Sequence, residues 1–263
     1  MFDFIEAARE AGLPLPEFKP GQVWLVGAGP GDPGLLALLA LHGLHHADVV
    51  FYDTLIDSRV LGLAAPEAEL IDCGRPSCRN NDICDGMITQ ARRGRRVLRL
   101  KGGDPMMFGC GAEEALSLAA AGVPFRVVPG ISSGLGGLAA AGIPLTCRGI
   151  NESVTFATGH DKDGEASKGH DWTALARSSA VLVLFTAIRD LSEIVPLLLA
   201  GGRSADEPVA IVHRATTMEQ RVTVTSLGEC AAIAIEIEPP ALVVIGEVVR
   251  LRRELAPQFY LPM

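Results

Sequence analysis

Aromatic side chains are scarce, at 5% of the 263 residues, so a core must be assembled mainly from Leu, Val, Ile and Ala. Positive charge is in deficit. The 23 Lys and Arg stand against 31 Asp and Glu, a formal net charge of −8, whereas a general nucleic-acid binder carries a basic surplus. No run approaches the ~18 consecutive apolar residues of a membrane span. The longest, 34–44 and 180–188, suit a buried helix and a buried strand. The amino terminus has early acids and no basic segment ahead of an apolar stretch, so it does not read as a secretory signal. A cytoplasmic protein with reduced thiols is therefore expected. Cys73, Cys78 and Cys84 are five and six residues apart, which matches no common zinc pattern, so no metal site is expected. H-E-x-x-H and Walker A motifs are also missing, which removes the commonest signatures of zinc peptidases and P-loop NTPases.

An alternation of strand and helix patterns fills the first half. Val23–Val26 is a short apolar run that enters the turn Gly27-Ala28-Gly29-Pro30-Gly31-Asp32-Pro33. An apolar helix over 35–44 and a strand over 48–52 complete a βαβ unit, which implies a parallel sheet. Strands at 69–72, 96–100 and 125–128 continue it, with helices at 81–93 and 113–121 closed by Gly94 and Gly122. Residues 129–152, rich in Gly, Ala and Ser, are the expected passage between two domains, with helical character over 133–141. The second half predicts strands at 153–158, 180–185, 208–212, 221–225 and 241–245, and helices at 171–177, 190–199 and 226–232. Its closely spaced β-branched strands favour a mixed sheet, and 161–169 reads as a loop. The expected fold class is two α/β domains, 20–133 and 134–254, preceded by a short helix and a proline-rich lead-in within residues 1–20.

Several segments have the composition of a ligand site. The Gly27–Pro33 turn resembles the dinucleotide fingerprint G-x-G-x-x-G, but Asp32 occupies the place of the third glycine and Pro30 and Pro33 remove N–H donors. That argues against an NAD-dependent oxidoreductase and for a different small molecule, or for a purely structural turn capped by Asp32. Gly102-Gly103-Asp104-Pro105 also follows a strand directly. Its glycines allow close backbone approach, and Asp104 suits a ribose hydroxyl or an ammonium group. Glu113 and Glu114 open a helix, where the macrodipole favours acids. Six of the ten residues from Arg92 to Lys101 are basic, either a solvated face or charge directed at the site. Ser132 and Ser133 stand at a helix start, as caps or ligand contacts. His160 ends a strand, while His42, His45 and His46 read as surface or packing residues.

Taken in order, these segments resemble the tetrapyrrole methylases. The likeness is carried by Leu25 to Pro33, Ala47-Asp48-Val49-Val50, Tyr52-Asp53 and Leu98 to Pro105. Phe108-Gly109, Glu113-Glu114-Ala115, Val128 to Ile131, Ala141 to Pro144, Val154 to Phe156 and Thr158-Gly159-His160 extend it over about residues 22–252. Within the family, the branch that methylates uroporphyrinogen III is the most similar. The resemblance implies two α/β domains with the active site in the cleft between them, usually in a homodimer. The charge balance and the absence of a signal or span add the expectation of a cytoplasmic protein with no nucleic-acid or membrane partner. It implies S-adenosyl-L-methionine as methyl donor, leaving S-adenosyl-L-homocysteine. It also implies methylation of C2 and C7 of a tetrapyrrole, giving precorrin-2 via precorrin-1. The donor contacts it implies are Pro30, Gly102, Gly103, Asp104, Met107, Ser132, Ser133, Thr186 and Ala215. Acid–base positions fall on Asp53 and Arg75, and substrate contacts on Glu113, Arg148 and Cys110.

The chain departs from the family pattern mainly on the substrate side. Where the family reads Phe-Gly-Arg-Gly-Gly-Glu-Glu, this sequence has Phe108-Gly109-Cys110-Gly111-Ala112-Glu113-Glu114. A cysteine carries no fixed positive charge, so Arg99 or Arg75 is expected to compensate. The segment after Gly74-Arg75 is shortened, Phe185-Thr186 replaces a Tyr-Met pair, and Cys147 replaces a histidine. Two expectations follow: a divergent uroporphyrinogen-III methylase, or a donor-binding relative that acts on another tetrapyrrole or has lost activity.

Overall fold

The computed structural model describes residue 7 and residues 10–74, 80–159 and 169–259. Most of the lead-in helix, most of the 161–169 loop, and Arg75, Cys78 and His160 lie outside the described residues. The chain divides into two compact units, 1–132 and 133–263.

The first unit holds a parallel sheet of β1 (Val23–Gly27), β2 (Val49–Tyr52), β3 (Glu69–Asp72), β4 (Val97–Lys101) and β5 (Phe125–Val128), in the order β3-β2-β4-β1-β5. Strands in such a sheet are covered on both faces, and β1 and β4 are buried at every position. Side chains alternate between the faces. Trp24, Val26, Leu98 and Leu100 pack with Ala40 and Leu44 of the helix Leu38–His46. Val23, Leu25 and Val97 pack with Ile83 and Met87 of the helix Asn80–Arg92 and Leu118 of the helix Gly111–Ala120.

This order fixes where a ligand can bind. After β1 the chain crosses past β4 to reach β2, and after β4 it crosses past β1 to reach β5. The connections from two neighbouring strands therefore leave in opposite directions. Such a switch point opens a crevice at the carboxyl ends of the strands, where ligands of open α/β sheets sit. The loops leaving it are the two glycine loops, after Gly27 and after Lys101.

The second unit begins with the helix Ser133–Ala140. Its sheet contains β6 (Val154–Thr158), β7 (Val181–Phe185), β8 (Pro208–His213), β9 (Arg221–Ser226) and β10 (Ala241–Ile245), in the order β6-β7-β10-β8-β9. Only β6 and β7 are paired parallel, so the sheet is mixed, as the spacing of its strands predicts. Leu182, Leu184, Val209, Ile211, Val243 and Ile245 form its core with the helices Leu191–Ala200 and Leu227–Ala234.

Three helical segments are absent from the sequence-based expectation: Ser58–Leu61, Glu247–Leu251 and Arg252–Phe259. The first is a single turn, capped by the Asp57 carboxylate accepting from the Arg59 amide, too short for a periodic signal. The helix expected from residue 35 starts at Leu38. Before it, Pro33–Leu35 form a tight turn in which Asp32 Oδ1 accepts the Gly34 amide at 2.7 Å.

Candidate active site

The two glycine loops are built against each other. Ala28 N–H donates to Lys101 O at 2.8 Å, and Gly29 and Gly103 exchange backbone hydrogen bonds of 3.2 and 2.8 Å. A Cβ on Gly27 would stand 2.5 Å from Gly103 O, and one on Gly130 would stand 2.2 Å from the same oxygen. No side chain fits at either place, so three strand-end loops meet backbone to backbone. Gly103 takes the left-handed conformation that glycine adopts without strain. Gly102, by contrast, is exposed, with no atom within 4 Å of where its Cβ would be. The backbone there is bare on the side away from the packing, as a cradle for a small molecule requires. Asp104 braces the rim. Its Oδ1 accepts from Met106 N–H at 2.8 Å and its Oδ2 from Gly130 N–H at 3.0 Å, and each oxygen keeps a second lone pair for a ligand.

Behind this rim lies a charged network that the periodicity of β4 explains. Val97, Arg99 and Lys101 share one face, so two cations point beneath the helix Gly111–Ala120. Glu114, on that helix, is fully buried and takes both: Arg99 Nε at 3.0 Å and Lys101 Nζ at 2.9 Å on the same Oε1. The remaining Arg99 nitrogens donate to Phe51 O, to Leu100 O at 3.1 Å, and to Asp53 Oδ1. Burial pushes the Arg99 pKa down, but the carboxylates of Asp53 and Glu114 outweigh it and hold it above the ordinary arginine range. Asp53 is the member that reaches the surface, with 37% of its side chain exposed. Its second oxygen accepts the Gly102 amide at 3.4 Å.

The basic run is thus divided. Arg95 and Arg96 precede β4 and are engaged at the opposite end of the sheet, by Glu69 at 2.6 Å and by Asp48 at 2.5 Å. Arg99 and Lys101 are buried and paired. The expectation that Arg99 stands in for a missing arginine at position 110 is overturned, because its guanidinium is already committed to four acceptors inside the unit.

Cys110 is exposed and caps the helix Gly111–Ala120 in a left-handed conformation, φ 57°. Gly111 behind it is pinned, since a Cβ would meet Pro105 O at 2.1 Å. Glu113 is exposed where its neighbour Glu114 is buried. The pair therefore divides into a surface carboxylate and a structural one, beyond the shared helix-start reading. Met107 and Pro30 are half-buried, and Ser132 is buried.

In the second unit β7 and β8 run the same way, each antiparallel to β10. Thr186 and Ala215 follow them and so lie at one end of that sheet. Thr186 is left-handed, φ 52°, and exposed, with its hydroxyl 3.0 Å from that of Thr158. Gly137, in the helix begun by Ser133, packs on Ala215: a Cβ there would stand 2.7 Å from the alanine methyl. Arg148 is exposed on a loop closed by Asn151, which accepts Cys147 N–H at 2.9 Å and donates to Leu145 O at 2.8 Å and Ser153 O at 3.2 Å. Among the described residues, five non-glycine residues are left-handed: Phe108, Cys110, Thr186, Arg214 and Thr216. All lie on loops that leave strand ends, the places where such strain collects at functional sites. Sequence carries no signal for it, because none of these is a glycine or asparagine. No group of His, Cys, Asp and Glu suited to a metal occurs among the described residues.

The family model for Tetrapyrrole (Corrin/Porphyrin) Methylases matches residues 22–231. The chain belongs to this family. A uroporphyrinogen-III C-methyltransferase from a Sinorhizobium species is 51% identical over 92% of this chain and 88% of its own length. Siroheme synthase 2 of Aeromonas salmonicida is 45% identical over 93% of the chain, which spans about half, 52%, of that longer protein. The solved uroporphyrin-III C-methyl transferase of Thermus thermophilus, complexed with S-adenyl homocysteine, superposes with a TM-score of 0.79 at 42% identity, covering 88% of this chain and 99% of that one. The chain is an α/β tetrapyrrole methylase with two sheets. Of the residues the resemblance implies, the structure groups Asp53, Pro30, Gly102, Gly103 and Asp104 at the carboxyl end of the first sheet. Thr186 and Ala215 share one end of the second. Arg75 falls outside the described residues.

Proposed function

We propose that this tetrapyrrole methylase transfers methyl groups from S-adenosyl-L-methionine to C2 and C7 of uroporphyrinogen III, giving precorrin-2 via precorrin-1 and S-adenosyl-L-homocysteine. The reading is carried by the near-full-length likeness to the Sinorhizobium enzyme, together with the bare Gly102 backbone at the switch point. The residues fit the donor. Gly102 and Gly103 give it close access to the backbone, Asp104 offers spare lone pairs to hydroxyl or ammonium groups, and Pro30, Met107, Ser132, Ser133, Thr186 and Ala215 are its further contacts.

The bound donor supplies an electrophilic methyl on a sulfonium, so no covalent enzyme nucleophile is required. The work left to the protein is orientation and proton transfer. A pyrrole carbon becomes nucleophilic as the ring N–H is lost; in this reading Asp53, with its partly exposed carboxylate, takes that proton, and Arg75 is the second acid–base position. The substrate's carboxylates need cations. Arg148, exposed on its Asn151-closed loop, has a guanidinium free to form a bidentate pair. Glu113, exposed at the start of its helix, is a further substrate contact. We also read the protein as a cytoplasmic homodimer with no nucleic-acid or membrane partner. The net charge of −8 is not the basic surplus of a general nucleic-acid binder, and no helix among the described residues is long and apolar enough to cross a membrane.

Incubation with the methyl donor and freshly reduced uroporphyrinogen III is expected to yield a product heavier by two methyl groups. A second reading, action on another tetrapyrrole or loss of activity, is favoured by the exposed Cys110 where a cation is expected. It predicts S-adenosyl-L-homocysteine binding by calorimetry with no such mass gain. Cys110→Arg separates the cases further. A large rate gain marks a weakened substrate contact, and no gain marks a site adapted without that cation.

A further inference from the structure

Arg99 is a buried side chain that joins Asp53 to the interior of the fold. Its side chain is 3% exposed, and its nitrogens are shared among a buried carboxylate, two backbone carbonyls at the ends of β2 and β4, and Asp53. Glu114 has no exposure and holds Arg99 through Nε, which fixes the plane of the guanidinium. A guanidinium locked on one side can present its other edge in a single orientation, and that edge meets Asp53 Oδ1. Asp53 Oδ2 then lies against the Gly102 amide. The aspartate is thereby oriented between a fixed cation and the bare glycine of the donor loop, and its exposed edge is directed outward.

We propose that Arg99 is a positioning residue that sets the orientation of the Asp53 carboxylate for proton transfer, with Glu114 as the buried counter-charge that fixes Arg99. The inference rests on the reading of Asp53 as the acid–base group. Purely as a structural ion pair, Arg99 would affect stability and leave the turnover of folded protein unchanged. As a positioning residue it acts on kcat, and only through Asp53.

The test is a double-mutant cycle on the full chain with donor and uroporphyrinogen III. Arg99→Lys keeps the charge but cannot span the four acceptors. It is expected to lower kcat by about 10–100-fold, the scale of a misplaced catalytic group, with KM and S-adenosyl-L-homocysteine affinity changed less than about twofold. In an Asp53→Asn background the same change is expected to add nothing, because coupled residues are non-additive. Independently of turnover, amide hydrogen exchange at Gly102 is expected to quicken in Arg99→Lys as Asp53 leaves that N–H. Thermal melts report folding, and if Arg99→Lys does not fold, Glu114→Gln carries the same cycle. Folded variants with parental kcat, or losses that multiply with that of Asp53→Asn, overturn the positioning role. Parental kcat in Asp53→Asn overturns the acid–base reading instead. A parent that binds S-adenosyl-L-homocysteine without methylating uroporphyrinogen III overturns the substrate reading.

Discussion

Arg99 Nε and Glu114 Oε1 lie 3.0 Å apart inside the first unit, with 3% and 0% of their side chains exposed. Lys101 joins the same carboxylate oxygen at 2.9 Å, so Glu114 is the shared counter-charge of two cations in the central strand. Removing one partner of a buried pair leaves an uncompensated charge. Glu114→Ala is therefore expected to lose about 3–5 kcal/mol of stability. Urea unfolding followed by circular dichroism measures it, and a loss under about 1 kcal/mol would mean that water reaches the network.

A second ion pair gives a pH signature. Hydrogen bonds from the Arg96 guanidinium and amide hold the Asp48 carboxyl below its ordinary range. A depressed folded pKa stabilises above the unfolded value, about 3.9, and that contribution is lost as the pH falls through the lower folded value. Both side chains are about one-third exposed, so solvent screening limits the effect. Asp48→Asn is expected to cost about 0.5–1 kcal/mol at neutral pH. The difference from the parent should shrink towards zero in acid, and a gap that stays constant from neutral pH to below the folded value would contradict the assignment.

The glycine packing predicts a graded loss of donor binding. In Gly130→Ala the new Cβ would lie 2.2 Å from Gly103 O and must push the Gly102–Asp104 loop away. A cost of about 1–3 kcal/mol in stability is expected, together with weaker S-adenosyl-L-homocysteine binding in calorimetry. Gly94→Ala is the control for affinity. That position is also left-handed, with nothing within 4 Å of its Cβ, so it should show only the backbone strain.

Asn151 holds the loop that carries Arg148 through one accepted and two donated hydrogen bonds. Asn151→Ala leaves the Cys147 amide and two carbonyls to find water, at about 1–3 kcal/mol. If Arg148 serves a substrate carboxylate, KM for the tetrapyrrole is expected to rise more than kcat falls. Steady-state kinetics separates the two.

Thiol reactivity maps exposure directly. Cys110 is exposed and Cys147 half-buried, while Cys73, Cys84 and Cys230 are buried. Burial pushes the Cys84 thiol up and that of Cys230 up to about 11, which keeps both protonated. Among the five described cysteines, brief alkylation of native protein at pH ~8 is expected to mark Cys110 first and to spare Cys84 and Cys230. Peptide mass mapping reads the order.

Much of the architecture was legible in the order of residues. Apolar runs with glycine punctuation located each strand among the described residues within a residue or so, most plainly β1 and β7, which are buried at every position and read as unbroken apolar stretches. The single-turn helix Ser58–Leu61 escaped, since one turn has no period. The arginine–lysine face of β4 also misled: Arg99 and Lys101 looked continuous with the exposed charges before them, and a charge run carries no mark of which members have a partner.

The sequence by itself determined the fold class, the two glycine loops and the family, because each rests on local spacing or on ordered motifs. Tertiary structure alone decided what the charged residues do. Whether Glu113 or Glu114 turns inward, and whether Arg99 meets substrate or another side chain, depends on which helix face lies over β4. Strand order likewise made the two glycine loops neighbours at a switch point. Those are relations between segments far apart in the chain, set by burial and charge pairing in three dimensions.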